Sequence, residues 1–391
     1  MNHRHPASRA VMIVIGACLA LTPAACKKGR ASAEATTKPV SRPAATSESD
    51  GLPVAKSLKA FDAFSALGYR PEWVGYPVLP RGRKINFFLA SDDLLVVQET
   101  GNILTVMDAA TGSNRWSLNP STPLTKFVGS IRRPDGDILC SSESEVFILD
   151  PVTGVMKNRQ RLAKIVNTPP ALVGDILVYG CPTGEVLAHS LTSGYKRWAY
   201  ALDGAITAPP VRVGEGIAVV SQNGEMVVLE ARQGAATGRG QLFGGLANSP
   251  VAEGSRVFFA GLDQSVWAYD EYGYQPAWRV RLDQPLRDQP TVMNDRLYVS
   301  IPGEGLACMD ATNGKRLWTT KGLQGSVVAK RGDRLIFWSG TEAMAIDPRL
   351  GDVTERITLR GIDRLVADKP IDGNLYAYSL TGEVHKYSPK K

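Results

Sequence analysis

Cysteine and histidine are scarce in this chain, five and four among 391 residues. Two of each fall within the first 26 residues, leaving Cys140, Cys181, Cys308, His189 and His385 for the remainder. No Cys-x-x-Cys occurs and no pair of histidines lies at ligand spacing, which argues against a His/Cys metal site. Three cysteines cannot pair fully within one chain, so buried free thiols are expected. No nucleophile–base motif or phosphate-cradling loop is legible. An excess of one charge is also missing from the body of the chain. Residues 1–59 hold nine Lys/Arg and three Asp/Glu, leaving 36 basic and 35 acidic residues elsewhere. A near-neutral body sets aside binding to nucleic-acid phosphates.

The N-terminus lacks a membrane-spanning run. Arg4 and Arg9 precede an apolar stretch, Val11–Leu21, that is too short to cross a bilayer as a helix. It reads as a signal peptide over residues 1–25. TPAAC then ends at Cys26, and a cysteine after small residues resembles the lipobox of bacterial lipoproteins, where that cysteine is lipidated. Pro23 stands where that box usually has Leu. Cys18 follows Ile-Gly-Ala, a better local match, but it leaves too short an apolar core. Cleavage near Ala25 in an ordinary secreted protein is the other alternative. Lipidation at Cys26 is the preferred expectation. Residues 26–56 hold almost no large apolar groups, so they cannot bury enough surface to order themselves and read as a flexible tether. Lys27, Lys28 and Arg30 read as part of a solubilising linker. Leu58, Phe61, Phe64 and Leu67 recur every three residues, which predicts a short helix packed on the domain that follows, 57–391.

What the chain does have is a repeat. DAATGSNRW starts at Asp108, SLTSGYKRW at Ser190, DEYGYQPAW at Asp270 and DATNGKRLW at Asp310. Weaker copies start at Asp150, Glu230 and Asp347, and Ser388 holds the equivalent place in the last. The eight anchors are separated by 37 to 42 residues. Pro170, Pro210, Pro250 and Pro290 keep the same period, as do Leu177, Ile217, Val257 and Leu297. Gly174, Gly214, Gly254 and Asn294 form a further column, which reads as a repeated tight turn because these residues tolerate positive φ.

Each repeat carries four short apolar runs between turns, as in PPALV, DILVYG, EVLAHS and YKRWAYAL of the third. Four strands per repeat of about 40 residues predict one propeller blade. The fold class is therefore all-β, an eight-bladed β-propeller of four-stranded antiparallel blades. The Asp-x-x-x-Gly stretch is the hairpin between third and fourth strands, with Asp holding the turn and Gly supplying its left-handed residue. Trp116, Trp198, Trp278 and Trp318 stand in outermost strands and read as blade-docking cement rather than ligand contacts. Asn158, Gly238 and Glu355 hold that position elsewhere. The last repeat supplies three strands only. PEWVGYPVL, residues 71–79, has the pattern of the missing fourth, with Trp73 as its docking Trp, and is expected to pair with 383–388 and seal the ring.

The A-x-D-x-x-T-G-x-x-x-W-like pattern, legible at 106–116, 268–278 and 308–318, resembles the tryptophan-docking motif of quinoprotein-type (PQQ-like) propellers. That resemblance spans about 320 residues. It implies one of two kinds of protein: quinone-dependent alcohol and sugar dehydrogenases, or non-enzymatic lipoproteins typified by the outer-membrane assembly protein BamB. Length, lipoprotein-like start and blade count resemble the second. The first would need pyrroloquinoline quinone and Ca²⁺ on the ring axis, an Asp as base and, in the alcohol enzymes, adjacent cysteines, which are absent here. The expectation is a non-catalytic, cofactor-free and monomeric scaffold that binds envelope proteins, with outer-membrane assembly machinery as partners. It would be held by its lipid at the periplasmic side of the outer membrane. A ligand-sensing or glycan-binding propeller is the third reading. Arg132-Arg133-Pro134-Asp135 and Arg287-Asp288 are candidate contact loops, with a solvated turn as the simpler reading of each.

Overall fold

The computed structural model describes residues 63–390. The signal segment, the tether, Cys26, Leu58 and Phe61 lie outside the described residues. Among the described residues, 32 strands form eight four-stranded antiparallel sheets. Blade 3 follows the repeat directly, with strands Ala171–Val173, Ile176–Gly180, Glu185–Ser190 and Lys196–Ala201. First strands of successive blades approach one another around the axis, so each blade runs outward from its first strand to its fourth.

The turn column behaves as its residues dictate. Val173 pairs with Ile176, Val213 with Gly216 and Glu253 with Arg256, leaving two-residue loops. Gly174, Gly214 and Gly254 open these loops at φ of 60°, 54° and 59°. In blade 6, Asn294 and Asp295 both take positive φ, 52° and 56°, a type I′ pattern whose twist matches the flanking strands. The proline column sets strand length. Pro170, Pro210, Pro250 and Pro290 immediately precede first strands of only three residues, because proline cannot donate to the ladder. Blades 1, 2, 7 and 8 have six-residue first strands, each with a register shift near its start.

The core is divided into eight buried clusters, one between each pair of neighbouring blades. The alternation along each strand explains this. Leu94 and Val96 of blade 1 pack with Ile138, Cys140 and Phe147 of blade 2, while Leu95 and Val97 pack with Tyr376 and Tyr378 of blade 8. Both faces of a blade are buried, so second and third strands read as near-continuous apolar runs.

Closure comes from both ends of the chain. The eighth sheet runs outward through Ile362–Ala367, Leu375–Ser379 and Val384–Pro389, and its fourth strand is Tyr69–Gly75. This strand starts two residues earlier than the expected 71–79 and ends at Gly75. Tyr69 faces Pro389, and Gly75 faces Val384. Beyond Gly75, Pro77 and Pro80 have no N–H to extend the ladder. The expected helix is also corrected. Its described part is one turn, with Leu67 N–H donating to Phe64 O at 3.1 Å and Gly68 N–H to Ser65 O at 3.2 Å. These i to i+3 bonds make a tight 3₁₀-like turn, which Gly68 ends at φ 84°. Phe64 and Leu67 are buried between blades 7 and 8, and Phe64 stacks on Tyr387 at 3.9 Å.

Removing residues 63–75 leaves Val384–Pro389 as an open edge. Such a chain is expected to melt at a lower temperature and to self-associate on size-exclusion chromatography. An unchanged melt together with a monomeric elution volume would contradict this account of closure.

Candidate functional site

The blade seams account for the residues that the repeat singles out. The anchor carboxylate first builds the turn. Asp150 Oδ1 accepts from Val152 N–H at 3.0 Å and from Thr153 N–H at 2.8 Å. These bonds hold its carboxyl well below the usual carboxylate range, the Thr153 N–H contributing most. Asp108, Asp310 and Asp347 make equivalent bonds and are lowered likewise, Asp108 chiefly by Arg115. The turn then receives the previous blade. A register shift just before the Trp position re-aims the side chain, as between Val106 and Met107 and between Ala188 and His189.

The indole N–H of each docking Trp donates to the carbonyl of the residue after the next anchor. Trp73 reaches Ala109 O at 3.2 Å, Trp116 reaches Pro151 O at 3.1 Å, and Trp198 reaches Ala231 O at 2.9 Å. Trp278 reaches Ala311 O at 3.0 Å and Trp318 reaches Pro348 O at 2.9 Å. The ring lies on the turn glycine. A Cβ on Gly112, Gly154, Gly234, Gly314 or Gly351 would come within 2.4–2.7 Å of that Trp. The glycine is thus required twice, for positive φ and for the flat face it offers the indole.

Two seams without Trp keep the same bond with other donors, which sequence reasoning missed. Gln160, two residues past Asn158, donates its amide to Leu191 O at 2.8 Å and pairs with His189 Nε2 at 2.8 Å. Thr237, beside Gly238, donates to Glu271 O at 3.2 Å. There the turn collapses onto the strand, with Arg239 N–H donating to Gly273 O at 3.1 Å. Nothing in these residue types signals the role, because the repeated element is a backbone acceptor. At the Glu355 seam Phe64 and Leu67 fill the gap instead.

The remaining chemistry-bearing groups are spent in packing. Cys140, Cys181 and Cys308 are free and buried. Burial pushes the Cys140 and Cys308 thiols up to about 12 and that of Cys181 to about 11, so they are poor nucleophiles at neutral pH. Burial lowers His189 and His385. Among the described residues, no group of three or more His, Cys, Asp and Glu is placed to hold a metal. Asp108, Asp150, Glu230, Asp310 and Asp347 are engaged in their own turns and Asp270 pairs with Arg256, so the donor set for a Ca²⁺–quinone pair is not assembled from them.

Of the two candidate loops, Arg132 is stapled to Asp93 of blade 1 by bonds of 2.6 and 3.0 Å, and Arg133 pairs with Asp135 at 2.9 Å. Arg287, on the opposite face, is exposed. The most prominent exposed aromatic surface lies elsewhere, at the collapsed seam of blades 4 and 5. Phe243 is 71% and Tyr274 is 63% exposed there, beside a 680 Å³ groove. The Arg279 guanidinium is held between Phe243 at 4.7 Å and Trp267 at 4.3 Å. Aromatic and arginine side chains in this arrangement suit protein recognition.

Eight four-stranded blades, five of their seams docked by Trp on an anchor turn, and a ring sealed by strands from both ends of the chain define the class, a quinoprotein-type β-propeller. A family profile described as outer membrane protein assembly factor BamB matches residues 80–272 and 240–387, and the chain belongs to this family. Among solved structures it is similar to BamB from Moraxella catarrhalis, with 16% identity and a TM-score of 0.62 over 81% of this chain and 98% of that one. It is also similar to the computationally designed Ika8 protein, with 11% identity and a TM-score of 0.67 over 80% of this chain and 98% of that one. No curated protein matches the chain.

The seam geometry makes two stability predictions. Trp198→Ala is expected to cost about 3–5 kcal/mol by denaturant unfolding. Gly154→Ala and Gly194→Ala both place a Cβ at positive φ, at a cost of about 1–2 kcal/mol. Only Gly154 also meets a Trp ring, at 2.7 Å, against Gln160 at 3.7 Å for Gly194. Gly154→Ala should therefore be the more damaging by about 1–3 kcal/mol, and equal effects would refute the docking role. The buried histidines set a pH dependence. Because the folded pKa of His189 lies below its unfolded value, its contribution is complete above the unfolded pKa of about 6.5 and is lost as pH falls towards the folded value. The melting temperature should drop between about pH 7.5 and about pH 5.5, with a shallower slope in His189→Gln.

Proposed function

We propose that this protein is a non-catalytic, protein-binding scaffold of the cell envelope, tethered by a lipid on Cys26 and acting in outer-membrane protein assembly. Family membership over residues 80–387 is the observation that carries this reading. The lipoprotein-like start ending at Cys26 and the low content of large apolar residues in 26–56 support a tether that leaves the ring free to meet partners. The exposed Phe243, Tyr274 and Arg279 surface supports binding to another protein. The engaged motif carboxylates and buried, protonated thiols favour a scaffold over a quinone-dependent oxidoreductase.

Three measurements test it. Cys26→Ser is expected to move the protein from the membrane to the soluble fraction. Crosslinking followed by affinity capture from envelope membranes should recover an outer-membrane assembly component, and Phe243→Ala with Tyr274→Ala should reduce its yield. Pyrroloquinoline quinone with Ca²⁺ should neither raise the melting temperature nor support dye reduction. A clear signal there would reverse the ranking of scaffold over enzyme.

A further inference from the structure

The seam between blades 6 and 7 departs from its neighbour in a way that leaves an arginine without a hydrogen bond or ion pair. In blade 5, Arg256 opens the second strand and closes the seam with blade 6. Its Nε donates to Asp270 Oδ1 at 2.7 Å, and its Nη1 donates to Thr312 O at 2.8 Å and Ala311 O at 3.3 Å. Arg296 is the same position 40 residues on, the first residue of Arg296–Ile301. It is exposed and makes no hydrogen bond or ion pair to any described residue. Asp310, which accepts the Thr312 N–H at 2.8 Å in its own turn, lies close enough for the Arg296 charge to lower it but is not hydrogen-bonded to Arg296. Glu253, beneath the blade 6 turn, accepts Asn294 N–H at 2.8 Å and Asp295 N–H at 3.0 Å and makes no bond to Arg296.

Arg296 instead borders a 420 Å³ groove whose other cations are Lys330 and Arg349. Lys330 has no side-chain hydrogen bond or ion pair, and Arg349 is held only by Asp347 at 3.5 Å, with its side chain 84% exposed. No carboxylate lines the groove. Its apolar walls are Met293, Leu317, Trp318 and Pro348. Leu317 is the residue left out of the ladder by the register shift before Trp318, and it is 39% exposed. Three cations against apolar walls complement a chain that alternates acidic and apolar side chains. A bare inorganic anion would leave the walls unused.

We infer that this groove binds an extended acidic peptide segment of a partner protein, with carboxylates meeting Arg296, Lys330 and Arg349 and apolar side chains lying against Leu317 and Trp318. The scaffold reading supplies only the kind of ligand, a protein segment. Guanidinium–carboxylate pairs in a partly desolvated groove carry both affinity and direction. Every cation at the site contributes, so binding weakens as salt screens the charges.

The test uses the full chain and a fluorescein-labelled five-residue peptide alternating Leu and Glu, followed by fluorescence anisotropy. The peptide is expected to bind, with affinity falling as salt rises. Its Lys-for-Glu counterpart should not bind. Arg296→Gln should weaken binding about tenfold or more, the loss of one charge-assisted contact, and Lys330→Gln should also weaken it. Arg161→Gln, a control on blade 2 with a side chain 92% exposed, should leave it unchanged. All variants should keep the native melting temperature, since these side chains hold no seam. Equal binding by Arg296→Gln, equal binding of the Lys peptide, or displacement by inorganic phosphate alone would overturn the inference. Such a failure would leave the assembly role standing, because that role is tested by capture from membranes.

Discussion

The ring depends on one hydrogen bond repeated at its rim, from the fourth strand of one blade to the carbonyl that follows the anchor of the next. An anchor side chain and a positive-φ glycine hold this carbonyl at Asp108, Asp150, Glu230 and Asp347, whereas the turn at Asp270 is collapsed. The donor is free to vary because only its reach matters. Trp73, Trp116, Trp198, Trp278 and Trp318 reach it with indole, Gln160 with an amide and Thr237 with a hydroxyl. Tryptophan adds a large apolar face to the bond, so it is the strongest solution wherever a glycine gives it somewhere to lie. Where it is replaced, the seam compensates by another route: a buried Gln160–His189 pair at one, a collapsed turn at another.

Dividing the core among eight seams has consequences for folding and stability. No single cluster holds the molecule, yet each blade is buried on both faces and cannot be stable alone. Seven seams join blades adjacent in sequence. The eighth, between blades 8 and 1, exists only once the strand carrying Trp73 has paired with Val384–Pro389 across more than 300 residues, so its closure carries the largest loop entropy and is the contact expected to form last. Phe64 and Leu67 reinforce the neighbouring seam, between blades 7 and 8, the one place where the chain ends leave no hairpin to receive a docking side chain.

Function has to be sought in what the seams leave unused. Most charges near the loops are engaged, as with Arg132 on Asp93 and Arg256 on Asp270. The motif aspartates build turns, and the thiols are buried and protonated. What stays available are departures from the repeat: the aromatic surface around Arg279 where blade 4 lacks its Trp, and the cationic groove where Arg296 fails to close its seam. A repeat architecture makes such departures readable, because each position has seven internal comparisons.

Blade count, the order of strands within a blade, the turn glycines and the N-terminal closing strand were all legible in the sequence. They are local and periodic: hairpins join neighbours, and strand pattern and turn chemistry recur every 37 to 42 residues. The end of the closing strand at Gly75 and the tight turn at Phe64–Leu67 were read less well, because flanking prolines and packing against blade 7 overrode the local pattern. The roles of Gln160 and Thr237, the second duty of the turn glycines and the unpaired state of Arg296 were decided only by the tertiary structure. Each depends on which atoms of the next blade lie within about 3 Å, and that distance follows from how the ring closes rather than from any residue's own neighbours along the chain.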